Sequence, residues 1–198
     1  HLGMPEVKDN LSYILKTSQS LVGYYAVENA RRTLEAGYTT VRSMAWYPEF
    51  DDVALRTAVE LGLVRGPRIV ASRGVISMTG GHGDMVLPPH LPIRQARIAD
   101  GVEEVRKAVR SLVKDGADFI KTCSTGGLAT GTGIRSNYTL EELKALVEEA
   151  HSHGKKTSAH ALGAEGIRNA VEAGIDTLEH GVFMDEATVE LMARKGTI

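Results

Sequence analysis

Three residues that could take part in metal or acid–base chemistry lie near the ends of strand-like segments. They are Lys121, His160 and His180, and each segment follows a helical pattern that ends at a glycine. The carboxyl ends of parallel strands meet at one edge of a sheet, so we expect the three side chains to converge. Neutral imidazoles suit zinc or a similar divalent ion. The sequence therefore predicts a metal or acid–base site at this edge.

Lys121 is an unusual residue for a strand that is covered on both faces. Burial disfavours the charged form of a lysine, because the ammonium ion loses its hydration. The amine must then lose its proton, pair with a carboxylate or be modified covalently. Each of these outcomes makes Lys121 a candidate functional residue.

The other histidines differ in their surroundings. His82 lies within residues 79–84, where three glycines allow the backbone to approach a ligand closely. His151 and His153 fall in the last turn of a predicted helix, where a cation interacts well with the helix dipole, so we interpret them as structural. His90 lies between prolines and is interpreted as a loop residue. Of these four histidines, only His82 is expected to join the site.

A repeated pattern of helix, glycine and strand positions these residues. Amphipathic spacing and capping residues predict helices near 19–36, 51–61, 101–114, 139–153, 164–173 and 186–195. Segments rich in β-branched residues predict strands near 39–43, 68–72, 118–123, 156–160 and 176–180. Strands that alternate with helices at this spacing predict an α/β fold with a parallel sheet.

Two long connections leave the carboxyl ends of the predicted strands. They span residues 73–99 and 124–138, whereas the connections from helix to strand are short and centred on glycine. Loops longer than about 12 to 15 residues in a compact domain are usually functional or disordered. Both long connections lie on the face where α/β folds build their sites, which supports a site there.

The composition is that of one globular unit and excludes several classes of function. The chain has 198 residues with 23 Lys and Arg, 25 Asp and Glu, a net charge of −2 and one cysteine. No basic surface is predicted to neutralise nucleic-acid phosphates, and no apolar run approaches the roughly 20 residues of a membrane span. A single thiol cannot form an internal disulfide, which favours a soluble, cytoplasmic protein over a secreted one.

Six motifs resemble, in order, those of the metal-dependent amidohydrolase superfamily. The most similar branch contains prolidase-like and Xaa-Arg or Xaa-Lys dipeptidase-like enzymes related to imidazolonepropionase. The motifs lie at residues 1–3, 36–42, 79–84, 119–121, 158–161 and 178–181, so the resemblance covers essentially the whole chain.

The resemblance implies a metal centre. His1 is similar to the second histidine of a His-x-His pair at barrel strand one, and His160 and His180 to the metal histidines of strands five and six. Lys121 is similar to a carboxylated lysine that bridges two metal ions, zinc or similar. Carboxylation turns a costly buried cation into an anionic oxygen ligand.

The resemblance also implies a reaction, the metal-dependent hydrolysis of an amide or peptide bond. His82 is similar to a histidine of the substrate loop, and Tyr138 falls where a tyrosine near the substrate carbonyl is expected. The expected catalytic aspartate of strand eight lies beyond Ile198, so no catalytic residue is assigned within the chain. The implied substrate is a dipeptide or N-acyl amino acid with a C-terminal proline or basic residue.

Three charged residues each allow two interpretations and do not decide between these substrates. Asp84 either meets a cationic side chain or caps the glycine-rich turn. Arg73 and Arg135 either receive a carboxylate or are solvated loop charges.

By the same resemblance, residues 1–198 form a single partial TIM-like (β/α)8 barrel domain. They supply strands two to six of eight and the start of strand seven, with the terminal parts of the full protein missing. A closed barrel typically needs about 250 residues, so we expect a fragment with little activity alone. Open sheet edges favour pairing with another chain, and a homo-oligomer is expected.

Two other functions remain open from the residues. Gly126 and Gly127 follow a strand, as in a phosphate-binding α/β barrel in which Lys121 would bind phosphate or form a Schiff base. No predicted helix begins directly after these glycines, which argues against a phosphate loop. The second alternative is a non-catalytic structural remnant.

Overall fold

The computed structural model describes residues 2–4, 9–44, 51–84, 87–88, 90–91, 96–128 and 131–198. The helices are α1 (Asn10–Lys16), α2 (Gln19–Glu35), α3 (Asp52–Glu60), α4 (Gly101–Lys114), α5 (Leu140–Ser152), α6 (Ala164–Ala173) and α7 (Glu186–Lys195). The strands are β1 (Thr40–Ser43), β2 (Arg68–Ala71), β3 (Val75–Ser77), β4 (Arg97–Ile98), β5 (Phe119–Cys123), β6 (Lys156–Ala161) and β7 (Thr177–His180).

All the paired strands run parallel, and helices separate most of them along the chain. Strand β1 pairs with β2, and the remaining strands form a sheet in the order β4-β3-β5-β6-β7. The predicted α/β class is therefore confirmed. The six predicted helices and five predicted strands are observed with their ends displaced by at most one residue.

The two sheets join where β2 is followed by β3. The amide of Asp118 donates to the Ala71 carbonyl at 2.8 Å, and the Asp118 carboxylate accepts from the Ala71 amide at 2.8 Å. Val75 of β3, four residues after Ala71, pairs with Lys121 of β5, three residues after Asp118. Strands β2 and β3 therefore lie along the same neighbour, β5, and act as one bent strand.

Residues between β2 and β3 make the bend. Arg73 has a left-handed backbone with φ of 62°. The carboxylate of Asp52, the first residue of α3, accepts hydrogen bonds from the amides of Ser72 at 3.2 Å and Arg73 at 3.1 Å. Helix α3 thus provides an acceptor for the Arg73 amide at the bend and a second acceptor for the Ser72 amide, which also donates to the Ser43 carbonyl at 3.1 Å.

The predicted long loop over residues 73–99 was wrong in part, because it contains β3 and β4. These strands have three and two residues, too few for an alternating pattern to show in the sequence. Their existence depends on neighbours, since β3 obtains its backbone hydrogen bonds from β4 and β5.

The main core lies between the sheet and helices α4 and α5. Val109 and Leu112 of α4, Leu146 of α5 and Ile120 of β5 are fully buried in it. Side chains alternate across a strand, so packing Ile120 against the helices turns Lys121 to the opposite face. No helix in the described part of the chain is both long and apolar enough to cross a membrane.

Candidate functional site

The three strand-end residues line one cavity of about 420 Å³ at the carboxyl edge of the sheet. Lys121, His160 and His180 meet there, as their spacing predicted, and His82 from the glycine-rich loop joins them. The rest of the lining consists of Met44, Val75, Cys123, Gly127, Leu128, Leu162 and Glu179.

Strand register brings these side chains together. Cys123 of β5 lies opposite His160 of β6, and His160 lies opposite Glu179 of β7. His180 is the last residue of β7 and has a left-handed backbone, with φ of 78°. In a regular strand, Glu179 and His180 would point to opposite faces. The left-handed turn at His180 explains how both side chains reach the same cavity.

The three imidazoles are packed against each other. The rings of His82 and His160 are stacked with centroids 4.0 Å apart, and the His180 ring meets His160 edge-on at 4.7 Å. Burial, with a smaller effect from the charge of Lys121, lowers the pKa of His82 to about 4. Burial and the neighbouring His82 lower the pKa of His160 to about 3, and burial and Lys121 lower that of His180. All three rings are therefore neutral at pH 7.

Lys121 is 5% exposed. Among the described residues its amine has no hydrogen bond or ion pair, and burial lowers its pKa to about 8. Glu179 favours the charged amine and Arg42 disfavours it, both through longer-range electrostatic interactions. A buried amine without a bonded partner is the costly arrangement that the sequence predicted for this strand.

Glu179 is a cavity residue that the sequence analysis missed. Its carboxylate accepts from Arg42 Nη2 at 2.7 Å and from the Ser158 hydroxyl at 2.9 Å. Burial alone raises the pKa of Glu179, but these two partners bring it below its usual value. Glu179 lies opposite His160 in the register and therefore on the cavity face, but the sequence analysis gave the cavity position to its neighbour His180.

His82 is held at the cavity by the loop that follows β5. A side chain at Gly127 would place its Cβ 2.2 Å from His82 Nδ1, so the imidazole packs directly on the backbone. Asp84 accepts from the Gly80 amide at 2.8 Å and caps the glycine-rich turn. Of the two interpretations left open for Asp84, the structure supports the cap.

Tyr138 does not reach the cavity. It is 3% exposed within the main core, and its hydroxyl donates to the Ala99 carbonyl at 3.1 Å. The sequence analysis expected Tyr138 near a substrate carbonyl. The structure instead places its ring in the core between the helices. Arg73 lies 3.8 Å from the Asp51 carboxylate, and neither Arg73 nor Arg135 lines the cavity.

The remaining histidines lie elsewhere. His151 Nε2 is 2.8 Å from the Asp176 carboxylate, and His153 Nε2 is 3.3 Å from Glu149, consistent with the structural roles predicted for both. His90 is exposed. His1, the other predicted metal ligand, lies outside the described residues.

The glycines after β5 do not form a phosphate cradle. The Gly126 amide donates to the Arg135 carbonyl at 3.1 Å, and the Gly127 amide donates to the Thr132 hydroxyl at 3.0 Å. Both amides are therefore used inside the loop. In the described part of the chain, no α-helix begins at either glycine.

The donor set fits a metal ion on chemical grounds. Within the described ranges, no three His, Cys, Asp or Glu side chains converge closely enough to hold an ion by themselves. Neutral imidazoles supply nitrogen lone pairs, and the unpartnered Lys121 amine becomes an oxygen donor once it is carboxylated. A metal ion bound here would therefore need Lys121 as a ligand as well as the histidines.

This arrangement of parallel strands with imidazoles and a lysine at one edge defines an α/β protein with a cavity lined by nitrogen donors. The sequence profile of the amidohydrolase family matches residues 1–198, and the chain belongs to this family. The resemblance seen in the motifs is thereby confirmed.

Relatives of known structure or curated sequence agree with this assignment. The chain is 34% identical over 202 residues to ochratoxinase of Aspergillus niger, covering 93% of this chain and 41% of the relative. A prolidase complexed with N-methylphosphonate-L-proline superposes with a TM-score of 0.86 at 36% identity, covering 96% of this chain and 48% of that one. A Xaa-Pro dipeptidase with bound methionine superposes with a TM-score of 0.83 at 37% identity, covering 92% and 47%. The chain thus spans less than half the length of these relatives.

Proposed function

We propose that this chain is part of a metal-dependent hydrolase of amide bonds in the prolidase-like branch of its family. In this proposal, carboxylated Lys121, His160, His180 and His1 hold zinc or a similar divalent ion, up to two ions in the complete protein. The carrying observation is the buried Lys121 amine, which has no bonded partner in the described structure and shares a cavity with neutral imidazoles.

A metal ion in this cavity would lower the pKa of a bound water towards neutrality and polarise the amide carbonyl. The chain's own residues prepare the cavity for it. His160 and His180 keep their lone pairs because burial keeps them neutral, and His82 presents a further imidazole to a substrate. The proton-shuttling aspartate of the family is proposed to lie outside residues 1–198.

The barrel context is part of the proposal. The five parallel positions β1, β2 with β3, β5, β6 and β7 are proposed to correspond to strands two to six of a (β/α)8 barrel. The parallel pairing and the superposition on the longer prolidase support this numbering. Residues 1–198 are then one partial domain, and we expect little hydrolytic activity from this segment alone.

The walls of the cavity favour an apolar substrate group. Met44, Val75, Leu128 and Leu162 contribute apolar side chains to its lining, and Leu128 is 71% exposed at its edge. Glu179 is the only acid lining the cavity in the part that the structure describes, and it is paired with Arg42. A basic substrate side chain would find no free carboxylate there, so we propose a dipeptide or N-acyl amino acid with proline or another apolar residue at the C-terminal side.

Metal content tests this proposal. Chain incubated with zinc and bicarbonate, then passed through a desalting column, should retain about one or two ions per chain by elemental analysis. Lys121→Ala and His180→Ala should each lose most of this zinc, whereas His90→Ala, at an exposed loop histidine, should keep it. Omitting bicarbonate should lower the zinc content of the wild-type and His90→Ala chains but not that of Lys121→Ala. Equal zinc in the Lys121→Ala and wild-type chains would contradict the assigned ligand set.

A dipeptide library separates the substrate classes. Xaa-Pro, Xaa-Phe, Xaa-Arg and Xaa-Lys dipeptides would be offered to the zinc-loaded chain and to a longer protein that contains it. Faster hydrolysis of the Pro and Phe series by the longer protein is expected from the apolar walls. Preference for Arg or Lys would overturn the substrate proposal while leaving the metal proposal intact.

A further inference from the structure

Residues 124–126, which follow β5, contact both the backbone and the ring of His160. Ser124 donates to the His160 carbonyl twice, from its amide at 2.9 Å and from its hydroxyl at 3.1 Å. The Gly126 carbonyl lies 3.1 Å from His160 Nε2. Residues 124–126 therefore contact both the backbone carbonyl and the imidazole of His160.

Thr125 fixes the carbonyl that meets the ring. Its hydroxyl is fully buried and donates to the Gly126 carbonyl at 2.8 Å. The Thr125 hydroxyl oxygen also accepts a hydrogen bond from the amide of Leu162 at 3.0 Å, and Leu162 lies just beyond the end of β6. Thr125 thus ties the Gly126 carbonyl to the strand that carries His160.

The segment is packed closely on both sides. A Cβ at Gly126 would lie 2.4 Å from the Gly133 carbonyl, and a Cβ at Gly166 of α6 would lie 2.3 Å from the Thr125 methyl group. The Asn137 side chain also donates to the Thr125 carbonyl at 3.0 Å. This packing leaves the Gly126 carbonyl little freedom to turn away from the imidazole.

The contact determines which nitrogen of His160 carries hydrogen. A carbonyl oxygen only accepts, so Nε2 must be the protonated nitrogen of the neutral ring. The lone pair available to a metal ion then lies on Nδ1. Outer partners of this kind fix the ring orientation of metal-binding histidines.

We propose that Thr125 and Gly126 are positioning residues for His160, holding its imidazole in the Nε2-protonated form with the Gly126 carbonyl as acceptor. Neither residue touches a substrate or a metal ion in this role, and both act through the ring. The positioning role rests on the proposed metal-dependent function, whereas the hydrogen bond itself does not.

Nuclear magnetic resonance of metal-free chain labelled with ¹⁵N-histidine tests the hydrogen bond at pH 8. The His160 signals are assigned by their loss in His160→Gln. We expect a directly observable Nε2–H proton for His160 that exchanges slowly with water, and an unprotonated Nδ1. Protonation at Nδ1, or an Nε2–H that exchanges as fast as that of an exposed histidine, would overturn the proposal.

Substitutions test the role of Thr125. Thr125→Val should speed exchange of the His160 Nε2–H about tenfold and weaken zinc binding about tenfold, at the low end for an outer-shell partner. Thr125→Ser keeps the hydroxyl and should behave as the wild type. Thr122→Val removes an equally buried hydroxyl, which donates to the Ile76 carbonyl at 3.1 Å, and should leave the His160 signal unchanged.

The outcomes separate this inference from the proposed function. A protected His160 Nε2–H in a chain that takes up no zinc would contradict the function and leave the hydrogen bond established. Zinc uptake without a protected Nε2–H would contradict the positioning role alone. An effect of Thr122→Val equal to that of Thr125→Val would reduce Thr125 to a general packing role.

Discussion

His180 reaches the cavity through a left-handed backbone, with φ of 78°. Such conformations cost of order 1–3 kcal/mol in residues other than glycine and are concentrated at functional sites. Because His180 adopts this conformation, the two neighbouring residues Glu179 and His180 both line the same cavity. Glycine adopts this conformation without steric cost, which makes the strain measurable by substitution.

We predict that His180→Gly is more stable than His180→Ala by about 1 kcal/mol, because only the glycine variant removes the strain. Urea unfolding of the metal-free variants measures the difference. Exposed Thr40 of β1 is the control, since alanine should be the more stable of the two residues in a regular strand. If the glycine and alanine variants ranked in the same order of stability at positions 40 and 180, His180 would not be strained.

Individual site residues were predictable only where regular geometry held. Lys121 and His160 follow from strand alternation and from parallel pairing. Glu179 lies opposite His160 in the register and so faces the cavity by regular pairing, but aligning His180 with His160 in the sequence assigned Glu179 to the other face. Tyr138 was placed by resemblance alone, and a tyrosine hydroxyl can equally be satisfied by a backbone carbonyl inside a core.

The helices and the longer strands were predictable because their signals are local. Helix α5 begins with a capping box between Thr139 and Glu142, and α4 buries one regular apolar face. At the start of α4, Asp100 accepts from Thr79 and makes no side-chain cap. Strands β3 and β4 escaped prediction because their pairing partners lie far away in the sequence.

Glu142 joins the beginnings of two helices. One carboxylate oxygen accepts from the Thr139 amide at 2.8 Å within the capping box, and the other accepts from the Gly101 amide of α4 at 2.8 Å. We predict that Glu142→Ala lowers the free energy of unfolding by about 1–2 kcal/mol, because two backbone amides lose their acceptor. The comparison is Glu141→Ala, also in the first turn of α5, which should change stability by less than about 0.5 kcal/mol in the same urea titrations.

At the scale of the whole molecule, ion pairs link elements that are distant in sequence. Asp176, before β7, accepts from Lys156 at 2.7 Å, from the Thr157 amide at 2.8 Å and lies 2.8 Å from His151 Nε2. Burial alone raises the pKa of Asp176, but these partners bring it down to about 2. The folded state therefore favours the carboxylate more strongly than the unfolded chain does.

The sign of the pH dependence follows from that pKa. The contribution of Asp176 is complete above the ordinary aspartate pKa and is lost as the pH falls from about 4 towards 2. We predict that the free energy of unfolding decreases over this range and that Asp176→Asn flattens the decrease. Urea unfolding at pH 5, 4 and 3 measures both slopes, and parallel curves for the two proteins would contradict the assignment.

The outer strands of the sheet offer backbone groups for association. Strand β1 pairs with β2 on one side, and the described residues place no strand on its other side. At the opposite end, the Leu178 amide of β7 donates to the Ile198 carbonyl at 2.7 Å, so that strand is already partly covered. An open parallel edge pairs readily with another chain, which makes β1 the better candidate for contact between copies.

We propose that the chain associates with itself through β1, and we predict a mass above 21.3 kDa that rises with concentration in size-exclusion chromatography with light scattering. Thr40→Lys places a charge on this exposed edge and should shift the population towards the monomer, because like charges on two facing edges repel. Ala187→Lys adds the same charge at an exposed position of α7, away from any strand, and should not change the association. A constant 21.3 kDa mass at every concentration would contradict association, and equal effects of the two lysines would assign it to another surface.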